Sequence, residues 1–146
     1  MRIPQWLITY RKKILENIHS LDIIESYTVN HDLSKPYDRV VDTDGRVHYP
    51  CHSENSKKMF LAQGGDPVAA NLIGLDMVMH IEKREAILER NLDIKDLFTL
   101  LIVSLVEVHT NAELFGGTDS TSFKIKLKKI DKLGKCFTDK YFGEDK

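Results

Sequence analysis

The longest apolar stretch of the chain runs from Leu97 to Val106, ten residues interrupted only by Thr99 and Ser104. Ten residues are too few to cross a bilayer, so the run reads as a buried helix. Its middle is apolar nearly all round, which predicts the central helix of a helical core. Asp93 should start that helix, which reaches about Leu114 before Gly116-Gly117 closes it. Glu107, His109 and Asn111 break the apolar pattern near its end.

The remaining periodicity is also helical. Leu7, Tyr10, Ile14, Ile18 and Leu21 form one stripe of a helix over Ile3 to His19, with Pro4 in its first turn. Asp22 to Asn30 is a second helix, with Ile23, Ile24 and Tyr27 inward. His31, four residues after Tyr27, extends its buried face, and Pro36 ends the element. Tyr37 to Pro50 is a loop or short hairpin around the turn signal Asp44-Gly45. Cys51 to Gln63 returns to helix, with Met59 and Phe60 as core contacts and Gly64-Gly65 as its stop. Asp66-Pro67 reads as cap and first residue of a helix running to about Arg90. On it, Ala69, Ile73, Asp76 and His80 share one face. Ser120 to Gly134 is a last amphipathic helix, with Phe123, Leu127, Ile130 and Leu133 inward and five lysines outward. The tail beyond Phe137 is expected to fray. The fold class predicted is all-α, a single domain over residues 1–146 with about six helices.

Composition narrows the function. With 42% hydrophobic and 29% charged residues the chain resembles an ordinary soluble globule. The net charge of -1 gives no global field toward nucleic acid or membrane. The lysines of Lys124 to Lys135 are a local basic run, best explained as a solvated face, so a nucleic-acid partner is not expected. Cys51 and Cys136 are far apart in sequence and form no CxxC pair, which fits a reducing cytoplasm. Met1 to Leu15 carries charge throughout and lacks the apolar core of a signal peptide.

Five ligand-type groups fall on or near apolar faces: His31, Asp32, His52, His80 and Glu107. Burying such groups unpaired costs several kcal/mol each, and one divalent metal would satisfy them together. Each also has a plainer reading. His31 and Asp32 can simply hydrogen-bond at a helix end, and His52 can decorate a helix start. His80 can pair with Asp76, and Glu107 can pair with a lysine of the last helix. His109 competes with Glu107 as a ligand, but two residues along a helix point about 200° apart, so one site cannot take both. His19 and His48 read as surface or loop residues. Lys35, three residues after Asp32, is placed to hold a phosphate as a point charge.

His31-Asp32-Leu33-Ser34-Lys35-Pro36, followed by Tyr49-Pro50-Cys51-His52, resembles the HD-domain metal-dependent phosphohydrolases. The similarity is closest to small phage-encoded HD proteins and to the HD segment of some tRNA nucleotidyltransferases, and it covers roughly residues 20 to 115. It implies an HD-like helical bundle and one or two divalent ions (Mn, Fe, Ni, Co, Zn or Mg) held by His31, Asp32, His52, His80 and Glu107. Asp32 would bridge the ions if two bind, and a bound water of lowered pKa would be the nucleophile. Lys35 would contact a phosphate oxygen as charge develops. The implied activity is hydrolysis of a phosphate ester or anhydride of a nucleotide, in the cytoplasm. The implied partner is a nucleotide or other phosphorylated small molecule, with no membrane partner and a homodimer left open. The chain departs from the family in two places: its upstream histidine is matched only by His19, and its late aspartate is Glu107. These departures support the alternative, a non-catalytic HD-like nucleotide-binding module with a degenerate metal site.

Overall fold

A computed structural model describes residues 1–143. In chain order the helices are α1 (Gln5–Thr9), α2 (Arg11–Glu16), α3 (Leu21–Asn30), α4 (Lys35–Asp38), α5 (His52–Ala62), α6 (Pro67–Gly74), α7 (Val78–Ile81), α8 (Arg84–Glu89), α9 (Ile94–Thr110) and α10 (Thr121–Phe142). Strands β1 (Val40–Val41) and β2 (Val47–His48) lie between α4 and α5, and a 3-10 turn, Ala112–Phe115, follows α9. The fold is all-α, as the periodicity predicts; the two-stranded ribbon is the only β-structure among the described residues. The chain divides into two compact units, residues 19–77 and residues 1–18 with 78–146. The first holds nine acidic residues against five Lys and Arg, the second thirteen against sixteen.

The larger unit is built on α9. Leu97, Phe98, Thr99, Leu100, Leu101, Val103, Ser104, Leu105 and Val108 are buried, so this helix is covered on nearly every side, as its sequence predicts. Asp93 caps it, its Oδ2 accepting the Lys95 amide at 3.0 Å. It ends at Thr110, with the 3-10 turn and the left-handed Gly116 completing the stop that was expected near Leu114. α10 runs antiparallel to α9: Phe98, near the start of one, stacks on Phe142 at the end of the other at 4.7 Å between centroids. At the opposite end His109 meets Phe123 edge-on at 5.5 Å. α10 is therefore longer than the predicted Ser120 to Gly134. Phe137 and Phe142 are buried, and that apolar anchor holds the turns expected to fray; residues 144–146 lie outside the described residues.

Gly134 determines how α1 packs. A Cβ at that position would stand 2.1 Å from Cε2 of the Trp6 indole. The absent side chain is therefore what lets the ring lie on α10, where Trp6 Nε1 donates to Asp131 Oδ1 at 2.8 Å. The helix expected over Ile3 to His19 breaks at Tyr10. The break keeps Trp6 and Ile14 both buried, while the Tyr10 hydroxyl donates to Asp139 at 3.2 Å.

The helix predicted from Pro67 to Arg90 is three helices. α6 stops after Gly74, a poor helix former, and the stretch between α7 and α8 opens again at Glu82 and Lys83. Lys129 caps that second break, its ammonium donating to the Met79 carbonyl at 2.7 Å and the Glu82 carbonyl at 2.8 Å. One of the five lysines expected outward is thus turned inward, and burial lowers its pKa. Breaks in two predicted helices, together with the unpredicted α4, raise the expected six or so to ten α-helices among the described residues.

The smaller unit centres on α6, which packs against α3 and α5. Ala69, Ala70, Leu72 and Ile73 are its buried face. Asp66 caps it as predicted, Oδ1 accepting the Val68 amide at 2.8 Å and that of Ala69 at 3.3 Å. Gly64, in the left-handed region at φ +81°, lets the chain turn out of α5. Of the two core contacts expected on α5, Phe60 is buried and Met59 only half-buried. The hairpin forms where expected, pairing Val40 with His48 and Val41 with Val47.

Candidate metal centre

α3 ends at Asn30, and His31 is its cap, so the imidazole leaves the helix at its last turn. Pro36 does not end this element; it lies in the first turn of α4, where a missing amide hydrogen costs nothing. The intervening turn, residues 31–34, is bolted to α5 through hydroxyls. Ser34 and Ser56 are both buried, and the Ser34 amide donates to Ser56 Oγ at 3.0 Å. Ser34 Oγ donates to the Asp38 carboxylate, whose other oxygen accepts from Asn55 Nδ2 at 2.9 Å. Because Ser56 and Asn55 lie one turn along α5 from His52, this network fixes His52 against the turn that carries His31 and Asp32.

The two imidazoles are oriented alike. His31 Nδ1 lies 2.6 Å from the Thr28 carbonyl, and His52 Nδ1 lies 3.2 Å from the Tyr49 carbonyl. A carbonyl only accepts, so each Nδ1 carries a proton, and in the neutral imidazole Nε2 is the nitrogen that keeps its lone pair. Both Nε2 atoms face the same carboxylate: His31 Nε2 is 3.4 Å from Asp32 Oδ2, and His52 Nε2 is 3.8 Å from Asp32 Oδ1. These separations exceed the roughly 2.7–2.9 Å of a charge-assisted hydrogen bond. The 3.4 Å gap matches two ligands sharing one ion, which at about 2.1 Å bonds and tetrahedral angles stand roughly 3.4 Å apart; the 3.8 Å gap is slightly wider. Anchoring a ligating imidazole by its other nitrogen to a backbone carbonyl is the usual outer support of a metal site. Two imidazoles and a carboxylate, partly shielded from water, are donor types that a divalent cation takes.

Lys35 stands beside this group. Its Nζ lies 3.1 Å from Asp32 Oδ2 and 5.3 Å from the centroid of the Tyr49 ring. Sequence reasoning placed Lys35 near Asp32 but missed Tyr49, whose ring holds the ammonium at the rim.

Asp76 was missed as a site residue. It is 2% exposed, accepts a hydrogen bond from the buried Tyr27 hydroxyl at 2.5 Å, and brings a carboxylate oxygen within 4.8 Å of a ring nitrogen of His31. The signal in the sequence was a lone acid inside the apolar run from Leu72 to Met79. The shared helical face that was to link Asp76 with His80 does not form, because α6 stops at Gly74, Asp76 lies in the turn that follows, and His80 lies in α7.

His80 and Glu107 belong to the larger unit and meet there, Nε2 to Oε2 at 3.2 Å, both largely shielded from solvent. Of the five expected ligands, His31, Asp32 and His52 belong to one unit and His80 and Glu107 to the other. His109 is committed to packing: Nδ1 lies 2.9 Å from the Leu105 carbonyl, and Nε2 accepts the Arg2 amide at 3.2 Å. His48 sits on the exposed hairpin, 2.8 Å from Asp42 Oδ2. Asp42 Oδ1 accepts the Asp44 and Arg46 amides, each at 2.9 Å. The His48 bond first, then the Arg46 amide, holds the Asp42 carboxyl below its ordinary pKa.

No helix among the described residues is long and apolar enough to cross a membrane. Comparison of the chain with protein-family models, curated proteins and solved structures returns no match.

Proposed function

We propose that the chain is a metal-dependent phosphohydrolase of the HD type acting on a nucleotide, with His31, Asp32 and His52 as the core of its cation site. The observation that carries this reading is the matched orientation of the two imidazoles, each tied through Nδ1 to a backbone carbonyl and turned with Nε2 toward the Asp32 carboxylate, one to each oxygen. A divalent ion there would supply Lewis acidity for water and for a phosphoryl oxygen. The chain's own groups do the rest. Asp32 provides the negative charge that the two neutral imidazoles lack. Lys35, resting on Tyr49, offers a positive charge at the rim for a phosphate oxygen of the substrate. Asp76, which accepts the Tyr27 hydroxyl, adds a buried carboxylate within 4.8 Å of a His31 ring nitrogen.

The second reading, a nucleotide-binding module with a degenerate metal site, is favoured by one contact. The Lys35 ammonium already neutralises Asp32 at 3.1 Å. Metal content and phosphatase rate across Mn, Co, Ni and Mg separate the two. Under the enzyme reading, Asp32→Ala and His52→Ala lose bound metal and turnover while the helical circular-dichroism spectrum persists. Wild-type metal content in Asp32→Ala refutes the site; nucleotide binding without turnover or metal selects the module. For His80 and Glu107 the corresponding measurement is bound metal in Glu107→Gln: a sharp loss makes the pair part of the cation chemistry, and no change leaves it a hydrogen-bonded pair of its own unit.

A further inference from the structure

In the larger unit, the segment leading into α1 and the first turns of α10 enclose a groove of about 300 Å³. Ile3, Pro4 and Leu127 give it apolar surface, and Arg2, Lys124 and Lys128 line it with positive charge. The one acid on the lining, Asp131, already accepts the Trp6 indole N–H. No ion pair involves Arg2, Lys124 or Lys128 among the described residues. Lys124 and Lys128 are four apart on one helix, a spacing at which like charges repel. Arg2 is not a loose end here: its amide is pinned to His109 Nε2 at 3.2 Å, which sets the residue beside both lysines. A second depression, of about 560 Å³, adjoins the first and shares Arg2 and Lys124 with it; Phe123 and Val106 supply its apolar wall. Three cations thus line the first groove, two of them shared with the second hollow, against the engaged Asp131 in the first and Asp119 in the second.

We propose that this groove binds a phosphorylated small molecule of mononucleotide size, with the phosphate on Arg2, Lys124 and Lys128 and the apolar body in the adjoining hollow. Guanidinium and ammonium groups together are the usual recognition set for a phosphate, and a volume of this order suits a ligand that size. The site lies wholly in the larger unit and rests on none of the residues assigned to the cation site.

The sole tryptophan, Trp6, is hydrogen-bonded to the groove residue Asp131, so its emission reports on the groove. The titration uses full-length Lys35→Ala protein treated with chelator, so the proposed cation site contributes nothing, and calorimetry gives a second readout. Adenosine monophosphate, inorganic phosphate, adenosine and a single-stranded hexanucleotide are compared. Adenosine monophosphate should bind saturably, phosphate more weakly and adenosine not at all. Added salt should weaken binding, and Lys124→Gln with Lys128→Gln should weaken it by about tenfold or more. Absence of saturable binding into the millimolar range overturns the proposal, as does affinity unchanged in the double variant. Preference for the hexanucleotide over the mononucleotide overturns the small-molecule assignment and selects a nucleic-acid backbone. Loss of metal binding in Asp32→Ala bears on the cation site alone, so the two readings fail separately.

Discussion

Lys35 illustrates how one side chain serves two cations' interests. Its ammonium stands on the Asp32 oxygen that also faces His31, so it competes with any divalent ion for that oxygen. Both partners are more than a third exposed, which limits such a pair to at most about 1 kcal/mol. Lys35→Met should therefore tighten Mn binding by no more than roughly fivefold while slowing turnover; calorimetric titration checks the first and a rate assay the second. Weakened Mn binding in Lys35→Met would show that the ammonium supports the site instead. His31, Asp32 and Lys35 were legible together because they lie within one turn of chain. The choice among histidines was not. Residue type marks every imidazole as a ligand candidate, but only the backbone carbonyl beside one ring nitrogen decides where the other lone pair points. His109 has both nitrogens engaged and drops out on that ground alone.

Among the elements, the central helix, the Asp66 and Asp93 caps and the hairpin turn were readable because each depends on local chemistry. The breaks at Tyr10 and after Gly74 were not, because periodic apolar residues continue through both: the first rests on a tertiary contact, Trp6 seated on Gly134, and the second on Gly74 together with Tyr27 drawing Asp76 inward. Gly134→Ala tests the first of these. With a Cβ forced to within 2.1 Å of the indole, the variant should lose about 1–3 kcal/mol. For a chain of this length that is roughly 2–4 °C of Tm per kcal/mol, seen by thermal unfolding. The hairpin offers a pH test. Asp42 has a lowered folded pKa, so its contribution is complete above the ordinary carboxylate range and is lost only as pH falls through the lowered value. Removing the leading cause, in His48→Ala, should raise the Asp42 titration midpoint toward its ordinary value, read from the Gly45 and Arg46 amide shifts in an NMR pH series. An unmoved midpoint would assign the shift to the turn amides.

For the whole molecule, a net charge near zero conceals an uneven division. Residues 19–77 carry nine acids against five bases, and the other unit carries thirteen against sixteen. That imbalance matches the two sites argued above, a cation site in the acidic unit and an anion groove in the basic one. It was present in the sequence but invisible there, because the basic unit is assembled from both ends of the chain. It also governs behaviour at high concentration. Near the isoelectric point of about 6.6, molecules of this kind do not become uncharged; they retain opposite patches that attract the patches of their neighbours. Such attraction is damped once the screening length shrinks to about 10 Å, near 0.1 M salt. The protein should therefore salt in, with a second virial coefficient that is negative in dilute buffer and rises on adding sodium chloride. Light scattering at pH 6.6 gives that coefficient directly, and a value that stays flat or falls with salt would show that apolar contacts, not charge, draw the molecules together.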